Sequence, residues 1–158
     1  MAQEDKEILE QLAIRTISYF KDDLLLDKIS SDITIEDVKK IDYCDITTFI
    51  ALSGQLSGTL GMSVPNDVAF DMVKNFMFGE MSEEELQELS SENIAETLNI
   101  TVGNILPELE VVKAGGIVNI STPYTMHNCV TITKKKDGIM LLVKLKYEDK
   151  DILLSYFK

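Results

Sequence analysis

Two hydrophobic periodicities alternate along the chain, and their order restricts the folds open to it. Residues 4–22 place Leu9, Leu12, Ala13, Thr16, Ile17 and Phe20 at spacings of three and four, which predicts a helix with one buried face. Residues 33–41 are rich in Ile and Val and read as a strand. Residues 45–53 and 59–64 read as two more, joined through Gly54 and Gly58. Asn66 is placed to cap a helix that would bury Ala69, Met72, Val73 and Phe76 and close at Gly79. Ser82 with Glu85 forms a capping box for a short helix, and Ser91 can cap the helix after it. Past Gly115-Gly116, residues 117–122, 128–135, 139–147 and 151–157 read as strands. Asp137-Gly138 signals a hairpin between the second and third of these. Helix, strands, helices, strands is the order of an α+β domain with a largely antiparallel sheet and helices packed on it.

The 158 residues fit one domain spanning 1–158, with 45% hydrophobic and 27% charged residues. A net charge of −12 opposes nucleic acid and anionic membranes as partners. No apolar run approaches the ~20 residues that cross a bilayer. The polar, acidic start, Met1 to Glu7, does not read as a secretory signal. Cys44 and Cys129 lack CxxC spacing, so two free thiols in a reducing cytoplasm is the simplest expectation. The acidic run from Glu80 to Glu88 reads as a solvated connection, and Lys134-Lys135-Lys136 as part of an exposed turn. His127, the one histidine, reads as a strand-end residue rather than a metal ligand. Walker A, GxGxxG and GxSxG patterns are absent from the sequence.

An internal duplication is suggested by two matches. Glu10-Gln-Leu-Ala-Ile aligns with Glu96-Thr-Leu-Asn-Ile, and Cys44 aligns with Cys129 at nearly the same offset. Short matches between amphipathic helices also arise by chance. In this alignment Ala13 stands where the second half has Asn99.

The helix from Ser91 carries the most specific polar pattern. At about 100° per residue, Ile94, Leu98, Thr101, Val102 and Ile105 gather on one side. Glu92, Glu96, Asn99 and Gly103 gather on the other. Glu96 and Asn99, three apart, are neighbours on that surface. Gly103, one turn on, offers a flat spot at a cost of roughly 1 kcal/mol of helix propensity. Pro107 should end or kink the helix near Leu106. Periodicity alone leaves open a merely solvated pair, with Gly103 needed at a helix crossing.

The wider pattern resembles a known family. Glu92-x3-Glu96-x2-Asn99, then Gly103-Asn104, then Pro123 about two dozen residues past Asn99, resembles the motif of the CheC/CheX/FliY phosphatases. Upstream, Gly54-Gln-Leu-Ser-Gly-Thr-Leu followed by a helix is similar to the first half of a CheX chain, so the resemblance covers nearly the whole sequence. One complete motif points to CheX rather than CheC, which carries two; no FliN-like segment points to FliY. The resemblance implies a CheC/CheX-like α+β fold with a pseudo-repeat of two halves. It implies a phosphatase acting on the phosphoaspartate of a phosphorylated CheY-like response regulator, with Asn99 aiming water and Glu96 contacting a partner lysine. The regulator would supply Mg²⁺, and the phosphatase would need no cofactor of its own. A cytoplasmic homodimer is expected. The nearly unbroken apolar run Ile139-Met-Leu-Leu-Val adds a motive for pairing through the sheet, unless that strand sits centrally in its own sheet. The alternatives are a non-catalytic module that docks a receiver domain or flagellar component, and a structural dimerisation domain.

Overall fold

A computed structural model describes residues 3–77 and 79–158. Helix α1 (Gln3–Ser18) leads through a widened π turn (Tyr19–Asp23) to β1 (Ile35–Asp37), β2 (Lys40–Asp42), β3 (Ile46–Gly54) and β4 (Gly58–Val64). Then come α2 (Asn66–Lys74), α3 (Glu83–Ile105) and the short α4 (Glu110–Lys113). The chain ends with β5 (Val118–Ile120), β6 (Tyr124–His127), β7 (Thr131–Thr133), β8 (Met140–Tyr147) and β9 (Lys150–Phe157). The large sheet runs β1-β8-β9-β4-β3, with β5 and β6 both paired to the outer side of β3, and every pairing is antiparallel. A separate two-stranded ribbon pairs β2 with β7.

The sheet order explains the duplicated pattern. Exchanging β1 with β6, β3 with β8 and β4 with β9 reverses the order of the sheet and leaves it unchanged. The same exchange swaps α1 with α3 and the two strands of the ribbon. The Glu10–Glu96 alignment therefore joins equivalent helices. The cysteine alignment does not: Cys44 lies between β2 and β3, and Cys129 between β6 and β7.

Alternate residues of the central strands feed two cores. Leu141, Val143, Leu145, Ile152, Leu154, Leu60, Met62 and Ile50 face α1 and α3, whose Ile8, Leu9, Leu12, Leu98 and Val102 cover that side. On the other face, Met140, Leu142, Leu153 and Phe49 pack under Ile41 and Tyr43 of the ribbon arm. Tyr43 meets Phe49 edge-on at 5.2 Å, and its hydroxyl lies 2.8 Å from Ser155 Oγ. Burial pushes that phenol up to about 12, against the opposing pull of the Ser155 hydrogen bond.

Several sequence expectations need correction. The strand at 33–41 is two strands, because the chain leaves β8 after Asp37 and joins the ribbon at Lys40. Asn66 does not cap α2: Pro65 holds the cap position, and Asp45 Oδ2 accepts the Asn66 N–H at 3.0 Å. Ala69, Met72 and Val73 are buried as expected, but Phe76 lies beyond the helix and is 50% exposed. Gly79 has φ +79° but stands well past Lys74, so it does not close the helix. Ser82 caps as read, accepting the Glu85 N–H at 3.1 Å. Ser91 does not cap: Ser90 and Ser91 bond back to the carbonyls of Leu86 and Gln87 inside one continuous helix. With neither Gly nor Pro there, nothing stops α3. The acidic run mostly joins its first turns, where carboxylates complement the helix dipole.

Downstream, Asp137-Gly138 turns the chain but makes no hairpin, since β7 pairs with β2 and β8 lies between β1 and β9. The hairpin present there is β8–β9, closed through Glu148 at φ +55°. The apolar run at 139–143 is explained by central placement with both faces covered, so it supplies no motive for dimerisation. Met1 and Ala2 of the acidic start lie outside the described residues.

Gly61 on β4 permits the second core to close. A Cβ there would lie 2.6 Å from Ser155 Oγ and 3.0 Å from the Phe49 ring. Gly61→Ala is expected to destabilise the fold by about 1–3 kcal/mol, measured as a lower urea midpoint with an unchanged denaturant slope.

Candidate functional site

Helix α3 lies over β3 and β4, against α1 on one side and α2 and β6 on others. Ile94, Leu98, Thr101, Val102 and Ile105 are all buried, as the wheel predicts. Buried Thr97 and Thr101 satisfy their hydroxyls on the carbonyls of Asn93 and Thr97. This anchored face fixes the rotation of the helix. Glu92, Glu96 and Gly103 are consequently exposed, and Asn99 is half-buried beside them. Open space surrounds the place a Gly103 Cβ would take, so no neighbouring helix demands glycine there. The helix-crossing explanation for Gly103 therefore fails, and the bare backbone forms part of an accessible surface. Pro107 ends α3 as expected, with Ile105 its last residue and a single 3-10 turn (Leu106–Glu108) following.

Two features of this site were not legible in the sequence. The first is Tyr19. The π turn after α1 lets Phe20 meet Tyr147 at 6.3 Å while Tyr19 reaches α3. Burial raises the Tyr19 phenol, the nearby Thr97 side chain opposes this, and the carboxylates of Asp23 and Glu96 add to the rise. The second is a groove of about 630 Å³ that opens one helical turn before Glu96. Glu84, Glu88, Ser91 and Glu92 of α3 form one wall, and Thr125 and His127 of β6 the other. His127 is the last residue of β6, with Nε2 3.4 Å from Ser91 Oγ.

Pro123 immediately precedes β6, the strand that supplies this wall. β5 pairs Ile120 with Leu52, and β6 pairs Tyr124 with Phe49. Three residues thus face two, which is a bulge on the outer edge of β3. Ser121 stitches it by donating its N–H to Ala51 O and accepting the Ala51 N–H, both at 2.9 Å. A residue without an N–H fits there.

Among the described residues, no group of three His, Cys, Asp or Glu side chains could hold a metal ion. On this helix face the exposed Glu96 carboxylate and the half-buried Asn99 carboxamide stand one turn apart.

The comparisons agree with this architecture. Solved structures share the fold: CheX of Desulfovibrio desulfuricans, 12% identical with TM-score 0.72 over 95% of this chain and 97% of that one, is one. CheX of Vibrio vulnificus is 16% identical with TM-score 0.72, over 96% and 99% of the two chains. CheX from a CheX–CheY–BeF3–Mg complex of Borrelia burgdorferi is 19% identical with TM-score 0.68, over 94% of each chain. No curated protein matches the sequence. The profile described as chemotaxis phosphatase CheX matches residues 46–144, more than half of the sequence and all of α3, and on that match the chain belongs to the CheX family.

Proposed function

We propose that the protein is a phosphatase that hydrolyses the phosphoaspartate of a phosphorylated CheY-like response regulator, and so terminates its signal. The observation that carries this reading is exposed Glu96 beside half-buried Asn99 on one face of a rotationally fixed helix, with bare Gly103 next to them. Membership of a chemotaxis phosphatase family and a related CheX bound to CheY support it.

The chemistry asks little of the enzyme. An acyl phosphate is already activated, so positioning one water in line supplies most of what is missing. Asn99 suits that task, because its carbonyl accepts a hydrogen bond from water while its amide donates one. Water oxygen bonds to phosphorus as the phosphorus–carboxylate bond breaks, leaving inorganic phosphate and a free aspartate on the regulator. Glu96 contacts a lysine next to the phosphorylated residue and holds the docked partner in register. The carboxylates of Glu84, Glu88 and Glu92 extend the same negative surface. Mg²⁺ arrives with the regulator, where it neutralises phosphoryl charge.

Asn99→Ala is expected to lower phosphate release from a phosphorylated receiver domain by about 100-fold or more. Its stability should change by about 1 kcal/mol or less, since a half-buried carboxamide is removed from the edge of the buried face. Undiminished release would remove Asn99 from the reaction. If the wild-type protein bound phosphorylated regulators but never accelerated release, the non-catalytic docking module would be correct instead.

Glu96→Ala should weaken both binding and turnover, and the wild-type affinity should fall as salt is added while that of the variant changes less. Equal affinities at every salt concentration would take Glu96 out of the contact.

The chain is also expected to dimerise, leaving the Glu96–Asn99 face free. Sedimentation at micromolar concentration should give twice the 17.7 kDa chain mass. A single species of that chain mass would refute the dimer and leave the phosphatase reading intact.

A further inference from the structure

Cys44 and Cys129 face each other across the continuation of the β2–β7 ladder. That ladder pairs Lys40 with Thr133, Ile41 with Ile132 and Asp42 with Thr131. Carried two residues further, the same register pairs Cys44 with Cys129. Two backbone hydrogen bonds bracket the position and show that the strands stay together: Tyr43 N–H donates to Val130 O at 2.8 Å, and Asn128 N–H to Asp45 O at 2.9 Å. The cysteines therefore occupy a non-hydrogen-bonded pair, the position at which opposite side chains stand closest. Cα atoms at such pairs lie about 4.5 Å apart, and disulfides accept about 4.4–6.8 Å.

In the reduced chain the thiols lie against other oxygens, Cys129 Sγ 3.9 Å from Asp45 Oδ1 and Cys44 Sγ 4.0 Å from Asp151 O, so closure turns both side chains toward each other. Opposite residues of an antiparallel pair project to the same side. The neighbouring pair on this side shows it, with Thr131 Oγ1 donating to Asp42 Oδ1 at 2.7 Å. Both thiols are free; Cys129 is exposed and Cys44 partly covered. Burial raises the Cys44 thiol, while its backbone N–H donates to Ser63 Oγ at 2.7 Å and fixes the residue at the end of the arm.

We propose that Cys44 and Cys129 are a redox-modification site, closing to an intramolecular disulfide within the native backbone when a low-molecular-weight disulfide is present. Accessible Cys129 reacts first. Its thiolate attacks one sulfur of the small disulfide, forming a mixed disulfide and expelling one small thiolate. The Cys44 sulfur then attacks Cys129 sulfur, forming the protein disulfide and expelling the second. The protein loses two electrons and two protons, and the small disulfide becomes two thiols. The new bond ties the segment after β6 to the segment before β3. His127, two residues before Cys129, stands on the wall of the groove beside α3, so the crosslink anchors that wall.

The test treats the whole folded chain with oxidised glutathione. The expected product has lost the mass of two hydrogen atoms, blocks maleimide at both thiols, runs as a single chain on a non-reducing gel and yields a Cys44–Cys129 linked peptide. Its melting temperature should rise by several degrees, because the bond restrains the unfolded chain across residues 44–129, and dithiothreitol should reverse the rise. Cys44→Ser should instead retain glutathione on Cys129, with no such rise. Glutathione held on Cys129 of the wild type without closure, crosslinks only between chains, or a crosslink that lowers the melting temperature would each overturn the proposal.

Discussion

Antiparallel pairing of β4 with β9 is the contact on which the structure depends. It runs from Thr59 opposite Phe157 to Ser63 opposite Leu153, and it joins the β1-β8-β9 part of the sheet to the part built on β4 and β3. Without it each part would be a short sheet with one helix and an open edge at β9 or β4, too small to cover both of its faces. With it, the interior strands acquire two cores at once: Leu60, Met62, Leu154 and Tyr156 on the helical side, Leu153 and Phe49 on the ribbon side. Tyr156 extends this seam to α1, donating to buried Asp5, which also holds Lys158 at 3.0 Å.

The near-symmetry of the halves sharpens the question of why one helix carries the polar pair. Glu10 on α1 is exposed, like Glu96 on α3. At the next equivalent position, however, Ala13 is fully buried, whereas Asn99 reaches the surface. A buried carboxamide in that place would cost free energy unless fully hydrogen-bonded, so an apolar residue fits the α1 environment. Topological equivalence thus does not extend to burial, and only α3 presents both groups to a partner.

What could be read from residues alone was whatever local periodicity and local sterics decide. The buried faces of α1 and α3, the Ser82 cap, the stop at Pro107 and the strands at 46–54 and 58–64 follow from spacing, side-chain reach and the missing N–H of proline. The helical wheel also placed Glu96, Asn99 and Gly103 together, because a helix packed on one face has only one rotation available. The resemblance of that pattern to a phosphatase motif then supplied the chemistry that periodicity could not.

Decisions involving distant partners had no local signal. Asp45 accepts the first N–H of α2 from across the fold, Asp137-Gly138 marks a turn without naming the strands it separates, and Ile139–Val143 is apolar on both faces because of what covers it. The same holds at the site and beside it. Tyr19 comes near Thr97 only because helix packing brings α1 to α3, and Cys44 stands opposite Cys129 only because β2 pairs with β7. The sequence by itself determined which helix face would be polar, since 3.6 residues per turn leaves no choice once the apolar side is buried. Tertiary structure alone decided which residues from elsewhere stand next to that face, because strand pairing and helix packing join positions whose separation along the chain carries no information about their distance in space.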